Sequence, residues 1–271
     1  MNVLIATDLS KASLAGLDSV CSCGSGVFDS ATLLHVIDLD LYAAGGSIPQ
    51  IMEYAEGVLP GWAERLTRCG IEARVRIEQG PAVETIEDVA ADVGADLIVM
   101  TNLGHGAATG RLLGSTVEKL ASRGRVPVLV ERVRESEEGW CRCGGGSPFA
   151  RVMLAANTDD ALPSLLDYVA ALPGEMALRV VHVTASADEV PEARSALDEA
   201  VATAATEGAE VAVFIGDPVE AVVEAAEAWK ATTVAVASCR HSMLHRAIWG
   251  SVARGVARIA PCSVLLVPPR A

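Results

Sequence analysis

The chain is written twice. "VLIATD" at Val3 to Asp8 returns as "VMLAAN" at Val152 to Asn157. "LLHVID", ending at Asp38, returns as "VVHVTA", which sets His35 against His182. "GPAVETIEDVAADVGADLIVM" from Gly80 returns as "GDPVEAVVEAAEAWKATTVAV" from Gly216, and Gly114-Ser115 then falls on Gly250-Ser251. The spacing between copies shifts in two places. Two residues go between the first helix signal and the second strand signal, and eleven go after the second strand, where the first copy carries "DLYAAGGSIPQ". Length changes of this kind belong in surface loops, so the pattern is that of a duplicated domain.

Each copy alternates short apolar runs with helical periodicity. In the first, strands are expected near 2–7, 31–37, 71–77, 96–100 and 127–131, and helices near 10–22, 49–69, 81–93 and 114–123. Val83, Ile86, Val89, Ala90 and Val93 recur at helical spacing. Runs such as "DLIVM" are continuous rather than alternating, as parallel strands buried on both faces require. Strand–helix alternation with right-handed crossovers predicts a doubly wound α/β sheet. A hydrophobic content of 51% with only 4% aromatics suits such close-packed layers. The expected domains are 1–133 and 150–271. The join between them, 134–149, begins "RESEEGWCRCGGGSP", charged and then glycine-rich, and reads as a linker.

Composition also excludes. The net charge of −14 argues against nucleic acid and anionic membrane as partners. No apolar run reaches the length of a membrane span, and "MNVLIATDLSK" reads as a first strand rather than a signal peptide. Seven cysteines, an odd number in a chain large enough to need no staples, point to reduced thiols and a cytoplasmic protein. Cys21-x-Cys23 and Cys141-x-Cys143 are spaced more tightly than the pairs of zinc sites. The topology also sets the first pair at the end of the sheet opposite to where the join departs, so free thiols are expected.

Ligands of a doubly wound sheet sit beyond the carboxyl ends of its strands, at the switch point. That rule gathers Ala6, Thr7 and Asp8 after the first strand, Val36 at the end of the second, and Met100 to Thr116 after the fourth. In the last stretch, Gly104 and Gly114 allow a close backbone approach, and Ser115 and Thr116 open a helix whose first amides favour an anion. Two readings stand: a phosphate cradle, or a glycine-rich loop in which Ser115 merely caps its helix. Neither a Walker A loop nor the dinucleotide fingerprint after the first strand is present.

The ordered set "ATD", "LLHVID", "GPAVETI", "ADLIVM", Gly104-x9-Gly114-Ser115 and "VPVLV" resembles the universal stress protein family, in tandem over nearly the whole chain. The resemblance implies a parallel sheet of order 3-2-1-4-5 in each half. It also implies a ligand, ATP or another adenine nucleotide, with or without Mg2+. The family motif Gly-x2-Gly-x9-Gly-Ser/Thr places its second glycine on Gly104 and its Gly-Ser on Gly114-Ser115. Its first glycine falls on Thr101, a departure expected to narrow the ribose-phosphate path. By resemblance Asp8 faces the ribose and adenine end, the backbone of Val36 meets the adenine edge, and Gly104, Gly114, Ser115 and Thr116 hold phosphates. His105 and Arg111 are the basic side chains of the loop, with a solvated role as the alternative.

The second copy departs further. Asp8 becomes Asn157, and Ala237 and Arg240 stand where the family has glycines. The half is read as a structural partner. Its loop side chains Arg240, His241, His245 and Arg246 leave anion binding open. Three functions follow: a nucleotide-binding regulatory protein of the stress response, a slow ATP hydrolase, and a scaffold whose site has decayed. The loop lacks a lysine on the phosphates and a metal-binding carboxylate pair, which disfavours the enzyme. The family resemblance also implies that fifth strands meet across a two-fold axis. The duplication offers this as an intramolecular pseudo-dimer, with a homodimer of chains left open.

Overall fold

The structure, a computed structural model, describes residues 1–23, 26–38, 47–103, 113–123, 125–143, 146–156, 161–204, 206, 208–238, 240–241, 247–248 and 250–268. Contacts divide the chain into two units. The first is Met1–Leu120 with Arg125–Arg142, and the second is Ala121–Gly124 with Cys143–Ala271.

In the first unit the strands are β1 (Asn2–Thr7), β2 (Ser30–Ile37), β3 (Glu72–Gln79), β4 (Leu97–Thr101) and β5 (Val128–Glu131). The helices between them are α1 (Lys11–Cys23), α2 (Ile48–Arg68), α3 (Ala82–Asp92) and α4 (Ser115–Arg123). All pairings are parallel, in the order β3-β2-β1-β4-β5. Leu4, Leu33, Leu97 and Leu129 are fully buried on β1, β2, β4 and β5. Two leftward and then two rightward crossovers, each right-handed, put α1 and α2 on one face and α3 and α4 on the other.

The segment read as a linker carries structure. Residues β6 (Val133–Ser136) and β7 (Gly139–Arg142) pair as an antiparallel hairpin with Val133 opposite Arg142. Val133 joins a buried cluster with Ala12, Ala15 and Leu103, and Trp140 packs against it. The hairpin therefore belongs to the first unit, which extends to Arg142. It lies beside α1. Arg142 also reaches the carboxylate of Glu131, on the last residue of β5, at 3.5 Å. Their side chains are 7% and 0% exposed.

The second unit repeats the plan with β8 (Arg151–Ala155), β9 (Ala177–Thr184), β10 (Glu210–Ile215), β11 (Thr233–Ala237) and β14 (Ser263–Val267). The order is β10-β9-β8-β11-β14, again parallel. Its helices are α5 (Ala161–Ala170), α6 (Val190–Thr203), α7 (Pro218–Trp229) and α8 (Ser251–Ile259). A short ladder of β12 (Arg240–His241) and β13 (Ala247–Ile248) stands between β11 and α8.

The duplication extends to backbone detail. Gly80 and Gly216, aligned in sequence, have φ of 148° and 136°, and Gly94 and Lys230 have 60° and 55°. Among the described residues, no helix is long and apolar enough to cross a membrane.

Candidate functional site

The parallel order brings the carboxyl ends of β2, β1 and β4 side by side, so the residues after each strand share one end of the sheet. After β1 the chain turns sharply. Leu9 holds a φ of 64°, the left-handed region that a branched side chain rarely enters. The turn is fixed by its own polar groups. Leu9 N donates to Thr7 Oγ1 at 2.9 Å, and Asp8 Oδ1 accepts from Ser10 N at 3.0 Å and from Ser13 Oγ at 2.5 Å. Ser13 N donates to Ser10 Oγ at 3.1 Å. Ser10 Oγ thus caps the start of α1, and one oxygen of Asp8 braces that cap.

His35 closes the next strand. Its ring is 1% exposed, and its Nδ1 lies 2.9 Å from Thr7 O. This bond ties the ends of β1 and β2, and it leaves Val36, half-buried, as the next residue along the rim. The acid that follows, Asp38, serves another element: its Oδ2 accepts from Ala82 N at 2.9 Å, at the start of α3.

After β4, Thr101 is held on two sides. Its hydroxyl donates to Leu103 O at 2.8 Å. Its methyl lies against α1 at Gly16, where an added Cβ would stand 2.4 Å from Thr101 Cγ2. The branched side chain at the motif's first glycine is thus accommodated by a glycine in the neighbouring helix. Met100, before it, is half-buried. Asn102 is 2% exposed, donates its N–H to Glu131 O at 3.0 Å, and accepts from Val133 N at 2.9 Å through its side chain. The loop's root is therefore anchored to the β6–β7 hairpin.

The loop returns at Leu113. A Cβ built on Gly114 meets nothing within 4 Å, and Gly114 O accepts from Glu118 N at 3.0 Å as α4 begins. Helix geometry leaves the first-turn amides, those of Ser115, Thr116 and Val117 among them, without partners inside α4. Ser115 is exposed and Thr116 half-buried. Donors of this kind at the positive end of a helix suit an anion. Gly104, His105 and Arg111 lie outside the described residues, as does Asn157. The structure brings Ala6, Thr7, Asp8, Val36, Met100 and Thr101 to one end of the sheet, with Gly114, Ser115 and Thr116 opening α4 of the same unit. Among the described residues, no group of three or more His, Cys, Asp or Glu side chains is arranged to hold a metal.

The second unit carries the same frame. His182 Nδ1 lies 2.9 Å from Ala156 O, Ser238 N donates to Val267 O at 2.8 Å, and Arg254 N donates to Gly250 O at 3.0 Å. These repeat the bonds of His35, Asn102 and Glu118. Between Ser238 and Gly250, however, backbone groups of Arg240 and His241 are committed to the β12–β13 ladder.

Sequence reasoning missed Gly16, Asn102 and the Ser10–Ser13 cap. A glycine inside a helical run was the available signal for the first. Asn102 gave none, because its partner Val133 opens a hairpin whose remaining residues lie in the segment read as linker.

A model of the universal stress protein family matches residues 1–132 and 148–268. A protein of Staphylococcus epidermidis, named as a universal stress protein, is 28% identical over 144 residues, 51% of this chain and 87% of that one. Among solved structures, a universal stress protein from Archaeoglobus fulgidus is similar at a TM-score of 0.73 and 25% identity, covering 99% of this chain and 96% of that one. A protein from Pseudomonas aeruginosa, named likewise, reaches a TM-score of 0.66 at 16% identity, with 99% and 93% covered, a likeness of fold alone.

Proposed function

This chain belongs to the universal stress protein family, and from that premise we propose that its first half holds an adenine nucleotide for a regulatory role in the stress response. The observation that carries the reading is the start of α4. Gly114 has open space beside it, and the first amides of the helix follow directly. In this reading the backbone at Gly104 and Gly114, together with Ser115 and Thr116, takes the phosphates of ATP, ADP or AMP, with or without Mg2+. Ala6, Thr7, Asp8, Val36, Met100 and Thr101 line the nucleoside end. The protein works in the cytoplasm with its thiols reduced.

Holding fits these groups better than turnover. Asp8 Oδ1 is occupied by Ser10 N and Ser13 Oγ, so this carboxylate is bound into its own turn. Backbone dipoles bind ground state and transition state alike unless something more is added. A scaffold role is the reading for the second half, favoured by the β12–β13 ladder, which uses backbone where a phosphate would need it.

The test is a pair of substitutions in the full chain. Gly114→Asp sets a carboxylate against the phosphates and should weaken binding of a fluorescent ATP analogue by about tenfold or more. Gly250→Asp should leave it unchanged. Equal losses from both, or loss from Gly250→Asp alone, would reject the assignment to the first half.

A further inference from the structure

We propose that Cys21 and Cys69 form a reversible disulfide that fastens the C-terminal end of α1 to that of α2. The Cys21 thiol lies against the last turn of α2, close enough for Cys69 to act on it electrostatically. Both residues also converge on a single carbonyl: Cys21 Sγ lies 4.0 Å from Arg65 O, and Cys69 N donates to the same oxygen at 3.3 Å. About one turn back along α1, Asp18 pairs with Arg65 at 2.5 Å. The two helix ends are therefore held side by side at Arg65 O, which sets the two cysteines near each other, as a disulfide requires. Each cysteine is partly exposed, so a small reagent reaches both.

The competing partners are worse placed. Cys23 is two residues from Cys21 on the same helix, about 200° away around its axis. Its Sγ lies 3.4 Å from Ser19 O, along its own helix. Cys141 sits on the hairpin that meets α1 at Ala12 and Ala15, about two turns from Cys21.

The chemistry is thiol–disulfide exchange with a low-molecular-weight disulfide as oxidant. The Cys69 thiolate attacks one sulfur of the reagent, the reagent's S–S bond breaks, and its first half leaves as a thiolate. Cys21 then loses its proton to solvent, and its sulfur attacks Cys69 Sγ, expelling the second half. Two protein thiols are oxidised, the reagent is reduced to two thiols, and the two protons end on the departing sulfurs. Burial, and then the neighbouring Cys69, push the Cys21 thiol from 9.0 up to about 12. Its thiolate is scarce at neutral pH, so Cys21 takes the second, intramolecular step, where proximity compensates. The inference is independent of the nucleotide reading.

The experiment incubates the full chain with excess glutathione disulfide, alkylates the remaining thiols, and maps peptides by mass spectrometry without reduction. A Cys21–Cys69 cross-linked peptide is expected, reversed by dithiothreitol. Closing so long a loop should also raise Tm by several degrees. Both effects should vanish in Cys69→Ser, whose melting should match that of the reduced wild-type chain. Full alkylation of both cysteines, a persistent glutathione adduct on Cys69, or Cys21 joined to any other cysteine would overturn the proposal. The wild-type peptide map decides between these outcomes even if a variant folds poorly.

Discussion

Thr101 is fixed by a hydroxyl that bonds Leu103 O and a methyl that fits only because residue 16 lacks a side chain. The pair behaves as a lock between α1 and the root of the loop. Gly16→Ala should therefore cost about 2 kcal/mol, the usual scale for a methyl forced into a packed contact. Thr101→Ser keeps the hydroxyl and removes the obstructing methyl, so the double variant should recover most of that loss. Urea denaturation of the four proteins gives the coupling directly. Additive effects would mean that the helix yields elsewhere and that the two residues are independent. At the same scale the copies show how little a backbone depends on its residue. Gly94 and Lys230 hold the same left-handed φ, although only glycine does so without strain.

At the scale of elements, the strands and helices of the sheets were legible because their signals are local. Continuous apolar runs marked β4 and β5, and the spacing of Val83, Ile86 and Val89 marked α3, with ends within about two residues of those observed. The β6–β7 hairpin was not legible. Its strands are short, its tip is Glu137-Glu138, and what stabilises it is a set of distant partners: Ala12, Leu103, Asn102 and Glu131. No local pattern encodes such contacts. The candidate site divides in the same way. Glycines and Ser115 could be read from spacing, whereas the contact of Thr101 with Gly16 and the approach of Cys21 to the end of α2 needed distant elements brought together. The hairpin's buried ion pair gives a test. Arg142→Met deprives the fully buried Glu131 of its arginine and should destabilise the chain by about 3 kcal/mol. Adding Glu131→Leu should restore most of it, since an apolar pair tolerates burial. A single variant with unchanged Tm would show that other groups already neutralise Glu131.

At the scale of the molecule, duplication gave two copies of one frame and divergence made them unequal. The bonds of His35 and His182, of Asn102 and Ser238, and of Glu118 and Arg254 are the same bonds, made twice. What differs is the chemistry at the strand ends. The first copy keeps Asp8, Gly104 and Gly114-Ser115, and the second has Asn157 and Arg240 in place of the first two. The unequal copies imply unequal binding. The most direct measurement is titration calorimetry of the full chain with a non-hydrolysable ATP analogue. One nucleotide bound per chain, with heat abolished by Gly114→Asp, is the predicted result. Two equivalent sites, or no binding at millimolar nucleotide, would contradict it.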